Sequence, residues 1–281
     1  MTAILAIAHP GHELRVHHWL ETYRPEVWVL TDGSGHTGRS RIDSTTRVLH
    51  ANGAVPGPVY AHMSDVDLYN AVLNFEHSPF ISIVDRLAAT LMNKNVTCIA
   101  GDAEEGYNPA HDICRLIINA AVTLVKLKRD RDVPNYDFKL AGAPANCSDE
   151  LRDGPIWLNL DDAAFARKVS AARNYPELHA EVEAALNGTV NTGFTSDPIL
   201  NERSRSTYGV TTANNFRVEC LRPVNVNGIK PNKDATPFYE EYGERQVSAG
   251  RYTHVLRYRE HMLPLAEALD AHVRGAVNVR A

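Results

Sequence analysis

Short apolar runs alternate with segments of helical periodicity through the first half of the chain. The runs are bounded by proline, glycine or polar residues, as buried strands usually are. They span residues 4–8, 27–30, 59–61, 96–100 and 138–141. Between them, apolar residues recur at helical spacing over residues 13–23, 40–51, 79–92 and 110–127. Strands that alternate with helices indicate parallel βαβ units. The pattern predicts an α/β fold with a Rossmann-like, mainly parallel sheet and helices on both faces.

The second half of the chain is more polar, and the regular alternation stops. Its predicted elements are an interrupted helix over 161–186, a long loop over 188–209, a strand over 216–221 and a terminal helix over 252–273. Pro176 causes the interruption, since proline disrupts a helix interior. We therefore expect a Rossmann-like domain over residues 1–150. Residues 151–281 should form a variable helical and irregular cap that packs on the same domain.

Composition and charge exclude several classes of partner. The 281 residues carry a formal net charge of -5, so no basic surface for nucleic acid is expected. No apolar run approaches the ~20 residues that a membrane-spanning helix needs, so no membrane partner is expected either. The N-terminus lacks the pattern of a signal peptide, and the four cysteines are scattered without a C-x-x-C pair. Reduced thiols in a cytoplasmic protein are the prediction.

Two clusters of polar side chains follow predicted strands. His9 and His12 come directly after the first strand, and His111 lies in the polar segment 101–112 after the strand at 96–100. Ligands of open α/β sheets bind beyond the carboxyl ends of the strands. Three protein ligands are the usual number in a catalytic zinc site. The sequence predicts such a site on these three histidines, although an all-imidazole site also accepts other divalent transition metals.

The order of the motifs resembles a known family. Residues 8–13 (AHPGHE), the loop 31–38 (TDGSGHTG), Arg41 and residues 108–111 (NPAH) follow one another along the first half of the chain. In this order they are similar to the motifs of the PIG-L/LmbE superfamily of zinc-dependent de-N-acetylases. The resemblance implies a small-molecule substrate, an N-acylated amino sugar or related amine. It also implies substrate contacts by Arg41 and, at the end of the second strand, by Asp32.

Three positions depart from the family pattern. The family has aspartate at the positions of Gly11, as general base, and of His12, as metal ligand. Histidine can replace the ligand, but glycine cannot replace the base. A histidine that assists the oxyanion in the family is Asn108 here, which can donate a hydrogen bond but cannot act as an acid. The candidates for the catalytic groups are therefore Glu105, ranked first as base, with Glu13 and Asp112, and Tyr107 and Asn108 as oxyanion donors.

The leading hypothesis is a zinc-dependent hydrolase that removes an N-acyl group, such as acetyl, from an amino sugar or related small molecule. The alternative is a metal-binding, non-hydrolytic small-molecule or carbohydrate-binding protein with the same fold, because the usual base is missing. A nucleotide-dependent enzyme is a third hypothesis, since residues 33–38 fit G-x-G-x-x-G. That fingerprint belongs after the first strand, with an acidic residue about 20 positions on, and neither condition holds. The oligomeric state stays open, with a homo-oligomer as one option.

Overall fold

Seven strands of the described residues form a central sheet. The computed structural model describes residues 2–146, 154–188, 197–224 and 236–278. The strands are β1 (Thr2–Ile7), β2 (Glu26–Thr31), β3 (Val55–Met63), β4 (Val96–Asp102), β5 (Asn135–Phe138), β6 (Ile156–Asn159) and β7 (Val218–Pro223). Their order across the sheet is β3-β2-β1-β4-β5-β7-β6. Strands β1 to β5 pair in parallel, and β7 pairs antiparallel with β5 and β6. The predicted α/β fold with a mainly parallel sheet is confirmed.

In the described part of the chain, ten α-helices surround this sheet. They are α1 (His17–Tyr23), α2 (Ile42–Asn52), α3 (Asp65–Leu73), α4 (Ser78–Asn93), α5 (Pro109–Arg129), α6 (Asp162–Arg173), α7 (His179–Asn187), α8 (Pro198–Tyr208), α9 (Phe238–Ser248) and α10 (Leu263–Asn278). Short 3-10 segments lie at His12–Val16, Gly35–Thr37, Pro176–Leu178 and Ala213–Arg217, and a π-helical turn at Tyr258–Met262. None of the helices in the described part of the chain combines the length and apolar character needed to cross a membrane.

Alternate residues of β1 build two separate cores. Ile4 and Ala6 pack with apolar side chains of α3, α4, α5 and α10 on one face. Leu5 and Ile7 pack with α1, α2 and Tyr175 on the other. This follows from the pleat of a strand, whose successive side chains point to opposite faces. All four side chains are at most 5% exposed, so both faces of β1 are covered by helices, as predicted.

Several predicted elements have different bounds in the structure. The helix predicted over 13–23 begins as a 3-10 segment and becomes α-helical only at His17. The strand predicted over 138–141 ends at Phe138, and that predicted over 216–221 begins at Val218. The terminal helix predicted from residue 252 starts with the π-helical turn at Tyr258–Met262. Strand β3 is longer than predicted, although it contains two prolines. It lies at the edge of the sheet, where proline is tolerated because one side of the strand has no neighbour to bond with.

The prediction of a long loop over 188–209 is wrong for its second part, which is helical. Helix α8 begins there at Pro198, with the carboxylate of Asp197 accepting from the amides of Ile199 and Leu200. Aspartate at the N-cap and proline at the first helical position favour a helix start, and Leu200 anchors it by burial. Residues 189–196 of the predicted loop lie outside the described residues. Helices α3 and α9 and strand β6 were not expected from the pattern.

Residues beyond 150 contribute directly to the central sheet. Strands β6 and β7 extend it past β5, and α10 packs against α5. The predicted boundary at residue 150 falls in 147–153, outside the described residues. Cys98, Cys114 and Cys220 are buried thiols, while Cys147 lies in the same undescribed stretch.

Candidate functional site

Three histidine rings meet where the strand order reverses. The reversal lies between β1 and β4, the two neighbours at the centre of the sheet. His9 and His12 follow β1, and His111 lies in the first turn of α5, which follows β4. The ring centroids are 5.2 Å apart for His9 and His12, 5.4 Å for His9 and His111, and 4.6 Å for His12 and His111. The convergence predicted from the sequence is present, at the switch point where α/β sheets bind ligands.

Local capping explains how His111 reaches this point. Asn108 is the N-cap of α5, and its side-chain oxygen accepts from the amide of Ala110 at 2.8 Å. Pro109 then occupies the first helical position, which suits proline because no amide is required there. Helix α5 therefore starts immediately after the loop from β4 and directs its first turn toward β1. The same Asn108 oxygen accepts from the hydroxyl of Tyr69 at 3.2 Å, which leaves the amide NH2 group as the donor.

Carboxylates and a hydroxyl hold two of the rings. His12 Nδ1 lies 2.9 Å from Asp102 Oδ2, which also accepts from the amide of Ala8 at 2.8 Å. His9 Nδ1 lies 2.8 Å from Thr31 Oγ1 and 3.1 Å from Asp65 Oδ1. A neutral ring that donates its Nδ1 hydrogen to such an acceptor has its free lone pair on Nε2, which can then bind a metal. Metal-binding histidines are commonly oriented in this way.

Sequence reasoning missed Asp65 and Asp102. Asp102 is the last residue of β4, at the same sheet edge as the histidines, so its position at a strand end was an available signal. Asp65 begins α3, a helix that the pattern did not predict. Its other oxygen accepts from the amide of Gly35 at 2.6 Å, which ties the loop after β2 to α3.

Burial controls the charge of this cluster. It lowers the pKa of His12 and of His111 well below the usual value, and the neighbouring histidines lower it further. Burial also raises the pKa of Asp102 to about 6. Asp65 is affected by burial too, but its hydrogen bond and charge interaction with His9 hold its pKa well below the usual value. The rings of His12 and His111 are therefore neutral at pH 7, the form that binds metals.

The three histidines do not form a ready-made metal site. Within the described residues, no three His, Cys, Asp or Glu side chains form a group that could hold a metal ion as they stand. The ring of His12 packs edge to face on those of His9 and His111, with interplanar angles of 85° and 88°. Their spacing nevertheless fits, since imidazoles on a tetrahedral zinc, with Zn–N bonds of about 2.0–2.1 Å, have centroids about 5 Å apart. His111 Nδ1 is moreover buried without a hydrogen-bond partner in the described residues. The three rings therefore have the separation that ligation of one metal ion requires.

Gly11 leaves no room for a side chain. Its φ of +107° is a backbone conformation that residues with a Cβ rarely adopt. A Cβ there would lie 2.3 Å from Leu178 Cδ1 and 3.6 Å from Tyr175 Cζ. Both residues belong to the segment between α6 and α7. That segment covers the position where the resembled family carries its general base.

The carboxylate of Glu13 stabilises the same turn. It is fully buried and accepts from the amide of Gly11 at 2.8 Å and from the hydroxyl of Thr45 at 2.8 Å. Burial raises its pKa to about 7. These contacts give Glu13 a supporting position behind the histidine turn, so its predicted catalytic role has no geometric support.

Glu105 and Asp112 are likewise engaged by backbone amides. Glu105 Oε2 accepts from Leu140 at 2.7 Å and from Ala141 at 3.0 Å, beyond the end of β5. Asp112 Oδ1 accepts from Glu105 at 3.0 Å and from Gly106 at 3.3 Å. Burial raises the pKa of both carboxyl groups. The two side chains fasten the loop between β4 and α5, and the expectation that Glu105 is the base gains no support from this geometry.

Tyr107 lies beside His111 within a group of aromatic rings. Its centroid is 6.4 Å from that of His111. It stacks on Phe238 at 5.3 Å with an interplanar angle of 9°, and meets Tyr208 edge-on at 5.1 Å. Burial raises the pKa of its hydroxyl, which therefore stays protonated. Tyr107 thus forms one wall of the site, and its predicted function as an oxyanion donor stays a prediction.

Asp32 and Arg41 belong to the loop after β2, which packs on the histidine turn. Asp32 Oδ1 accepts from the amide of Ser34 at 2.9 Å, and Arg41 Nε donates to the carbonyl of Gly33. The charge of Arg41 is among the causes that lower the pKa of His12. Arg41 is therefore close enough to His12 to affect its charge, whereas Asp32 is bound to the backbone of its own loop. The nucleotide hypothesis is weakened, because the Gly35 amide that a phosphate would need already binds Asp65.

Comparison of the sequence with known proteins finds no relative, and comparison of the structure finds a similarity at low identity. No protein-family model matches the sequence, and no curated protein matches it. Among crystal structures, the zinc-inhibited form of teicoplanin deacetylase Orf2 is similar over 80% of this chain and 99% of that chain, with 11% identity and a TM-score of 0.46. Values this low give no information about which chemistry the present chain performs.

Proposed function

We propose that this protein is a metal-dependent deacylase of the PIG-L/LmbE type, acting on an N-acylated amino sugar or related small molecule. The observation that carries the proposal is the spacing of His9, His12 and His111 at the switch point of the sheet. Support comes from the acceptors that orient two of these rings, and from the order of the sequence motifs. Zinc is the metal we propose, on the three histidines.

In this proposal each group of residues has its own function in the reaction. A divalent metal on the three histidines would supply Lewis acidity toward a carbonyl oxygen and lower the pKa of water. Asp102 and Thr31 would hold the rings of His12 and His9 in position. The NH2 group of Asn108 would donate to the oxyanion that forms at the carbonyl. Arg41 and Asp32 would contact polar groups of the substrate.

One observation favours the second candidate, a metal-binding protein that does not hydrolyse its ligand. Leu178 lies where a side chain at position 11 would extend. The carboxylates of Glu13, Glu105 and Asp112 all accept from backbone amides. General acid–base catalysis typically contributes 10²–10⁴-fold, so a site whose candidate bases are held by backbone amides would be slow or inactive.

Elemental analysis combined with an amine-release assay distinguishes the two functions. The protein would be purified without added metal, analysed for metal content, and then offered a panel of N-acetylated amino sugars. We expect about one zinc per chain and amine release that a chelator abolishes. Zinc with saturable sugar binding in calorimetry, but without amine release, would establish the non-hydrolytic protein. A chain that takes up no metal even when zinc is supplied would refute both.

Replacing Glu105 with glutamine should have little effect on turnover. The amide oxygen of Gln can still accept from Leu140 and Ala141, so the loop keeps its main contacts. We expect a loss of stability of about 1 kcal/mol and amine release within about threefold of the unaltered protein. Activity and metal content would be measured on the same preparation. A hundredfold loss of turnover with metal retained would instead identify Glu105 as the base.

A further inference from the structure

A cavity lies between α5 and α10, apart from the histidine cluster. Its volume is about 390 Å³, within the range of small-molecule sites. The walls along the two helices are largely apolar and include Leu116, Met262, Leu269 and Val273. It lies on the face of the sheet where α4, α5 and α10 pack, and none of the three clustered histidines lines it. The deacylase proposed above does not use this cavity.

Carboxylates concentrate at one end of the cavity. Glu104 and Asp112 line it together with Glu267. Glu104 is partly buried, and in the described part of the chain its carboxylate has neither a hydrogen bond nor an ion pair. Burial raises the pKa of Glu104, and the charge of Arg115 lowers it. The guanidinium of Arg115 donates to Asp102, Asn135 and Tyr136 and does not line the cavity. The arginine at the cavity, Arg274, is already paired with Asp270 at 2.8 Å. Apart from Arg274, none of the described residues that line the cavity is a lysine or arginine, so this end of the cavity is negative.

Two tyrosine hydroxyls at the same end also lack partners. The oxygen atoms of Tyr239 and Tyr258 are buried without a hydrogen bond to any described residue. Tyr258 lines the cavity, and Tyr239 is only 5% exposed. Burial, and then charges that include those of Asp112 and Glu104, raise the pKa of Tyr239. Buried hydroxyls normally find a partner. Two without one, in a region where the carboxylate of Glu104 also lacks a partner in the described residues, indicate a bound donor.

We propose that this cavity binds an organic ammonium ion with an apolar body. The charged end would lie between Glu104, Asp112 and the tyrosine hydroxyls, because an ammonium group donates up to three hydrogen bonds. The apolar body would extend along α5 and α10 toward Leu269 and Val273. A bare metal ion would not use these apolar walls, and the carboxylates exclude an anion. The proposal is independent of the reaction at the histidine cluster.

Calorimetry with three molecules of equal chain length tests the charge requirement. The probes are hexylamine, which is an ammonium ion at pH 7, neutral 1-hexanol and anionic hexanoate. We expect hexylammonium to bind the full chain at least about tenfold more tightly than hexanol, with hexanoate not binding. Equal affinity for hexylammonium and hexanol would overturn the proposal, and so would no heat of binding at millimolar concentrations.

Two variants locate the binding in this cavity. Glu104→Gln removes the unpaired charge, and Ala120→Leu fills the cavity from α5. Each is expected to weaken hexylammonium binding at least about tenfold, whereas Glu76→Gln, which changes an exposed acid outside the cavity, should leave it unchanged. Thermal unfolding confirms that each variant is folded, and metal content shows that the histidine cluster is intact. Unchanged affinity in both cavity variants would show that the amine binds elsewhere and would refute the proposal.

Discussion

His111→Ala is expected to lose the metal and, with it, all measurable amine release. His111 is one of three rings separated by 4.6–5.4 Å, and its Nδ1 is a buried nitrogen without a partner in the described residues. Removing one of three protein ligands leaves two, fewer than a catalytic zinc site uses. Metal content should fall from about one to below about one-tenth per chain. Elemental analysis after gel filtration measures this directly.

His18→Ala is the matched control for this experiment. His12 is the first residue of the 3-10 segment, and His18 lies in α1, just after that segment. The ring of His18 contacts Glu21 and lies outside the histidine cluster. Its replacement should leave metal content unchanged. If His111→Ala keeps its metal while remaining folded, the three-histidine site is wrong and the metal is bound elsewhere. Asp102→Asn gives an intermediate result, since loss of an orienting group typically weakens metal binding 10–100-fold.

Lys168→Met should destabilise the fold by about 3–5 kcal/mol, because it leaves a buried carboxylate without its cation. Lys168 Nζ lies 2.8 Å from Glu219 Oε1 and 2.8 Å from the carbonyl of Arg15. Glu219 is fully buried and also accepts from the amides of His18 and Trp19. This network joins α6, β7 and the start of α1. Urea unfolding of the two proteins gives the difference in free energy.

The neighbouring residue offers the control. Arg167 is paired with Glu21 at 2.7 Å, but its side chain is 54% exposed. Exposed ion pairs contribute little, so Arg167→Met should change the stability by less than about 1 kcal/mol. A Lys168→Met protein that unfolds with the same free energy as Arg167→Met would show that Glu219 needs no cation, since its two amide donors would then suffice.

The elements that were predicted well have a strong local pattern of their own. Helices α4 and α5 are long and amphipathic, and β1, β2 and β4 are continuous apolar runs because helices cover both faces of the sheet. The missed elements lack such a pattern. Helix α3 begins with a capping box at Ser64 and Asp67, and α8 with the cap at Asp197. Only four residues of β6 pair with β7, with side chains half-buried or exposed, so its apolar signal is weak.

The candidate site was likewise predicted only in part from the sequence. The sequence placed His9, His12 and His111 after predicted parallel strands, and the carboxyl ends of such strands share one edge of the sheet. The carboxylates Glu13, Glu105 and Asp112 were near in sequence, but the structure turns them toward backbone amides. Proximity along the chain does not give the direction of a side chain, because that depends on which donors the neighbouring loops present.

The sequence by itself determined the α/β fold and the convergence of three histidines, because periodicity and strand ends are local properties of the chain. Only the tertiary structure decided which groups surround those histidines. Asp65 and Asp102 hold the rings across 56 and 90 residues of sequence. Leu178 packs over Gly11 from a segment that follows α6. Such contacts depend on how distant segments pack, and no local pattern specifies them.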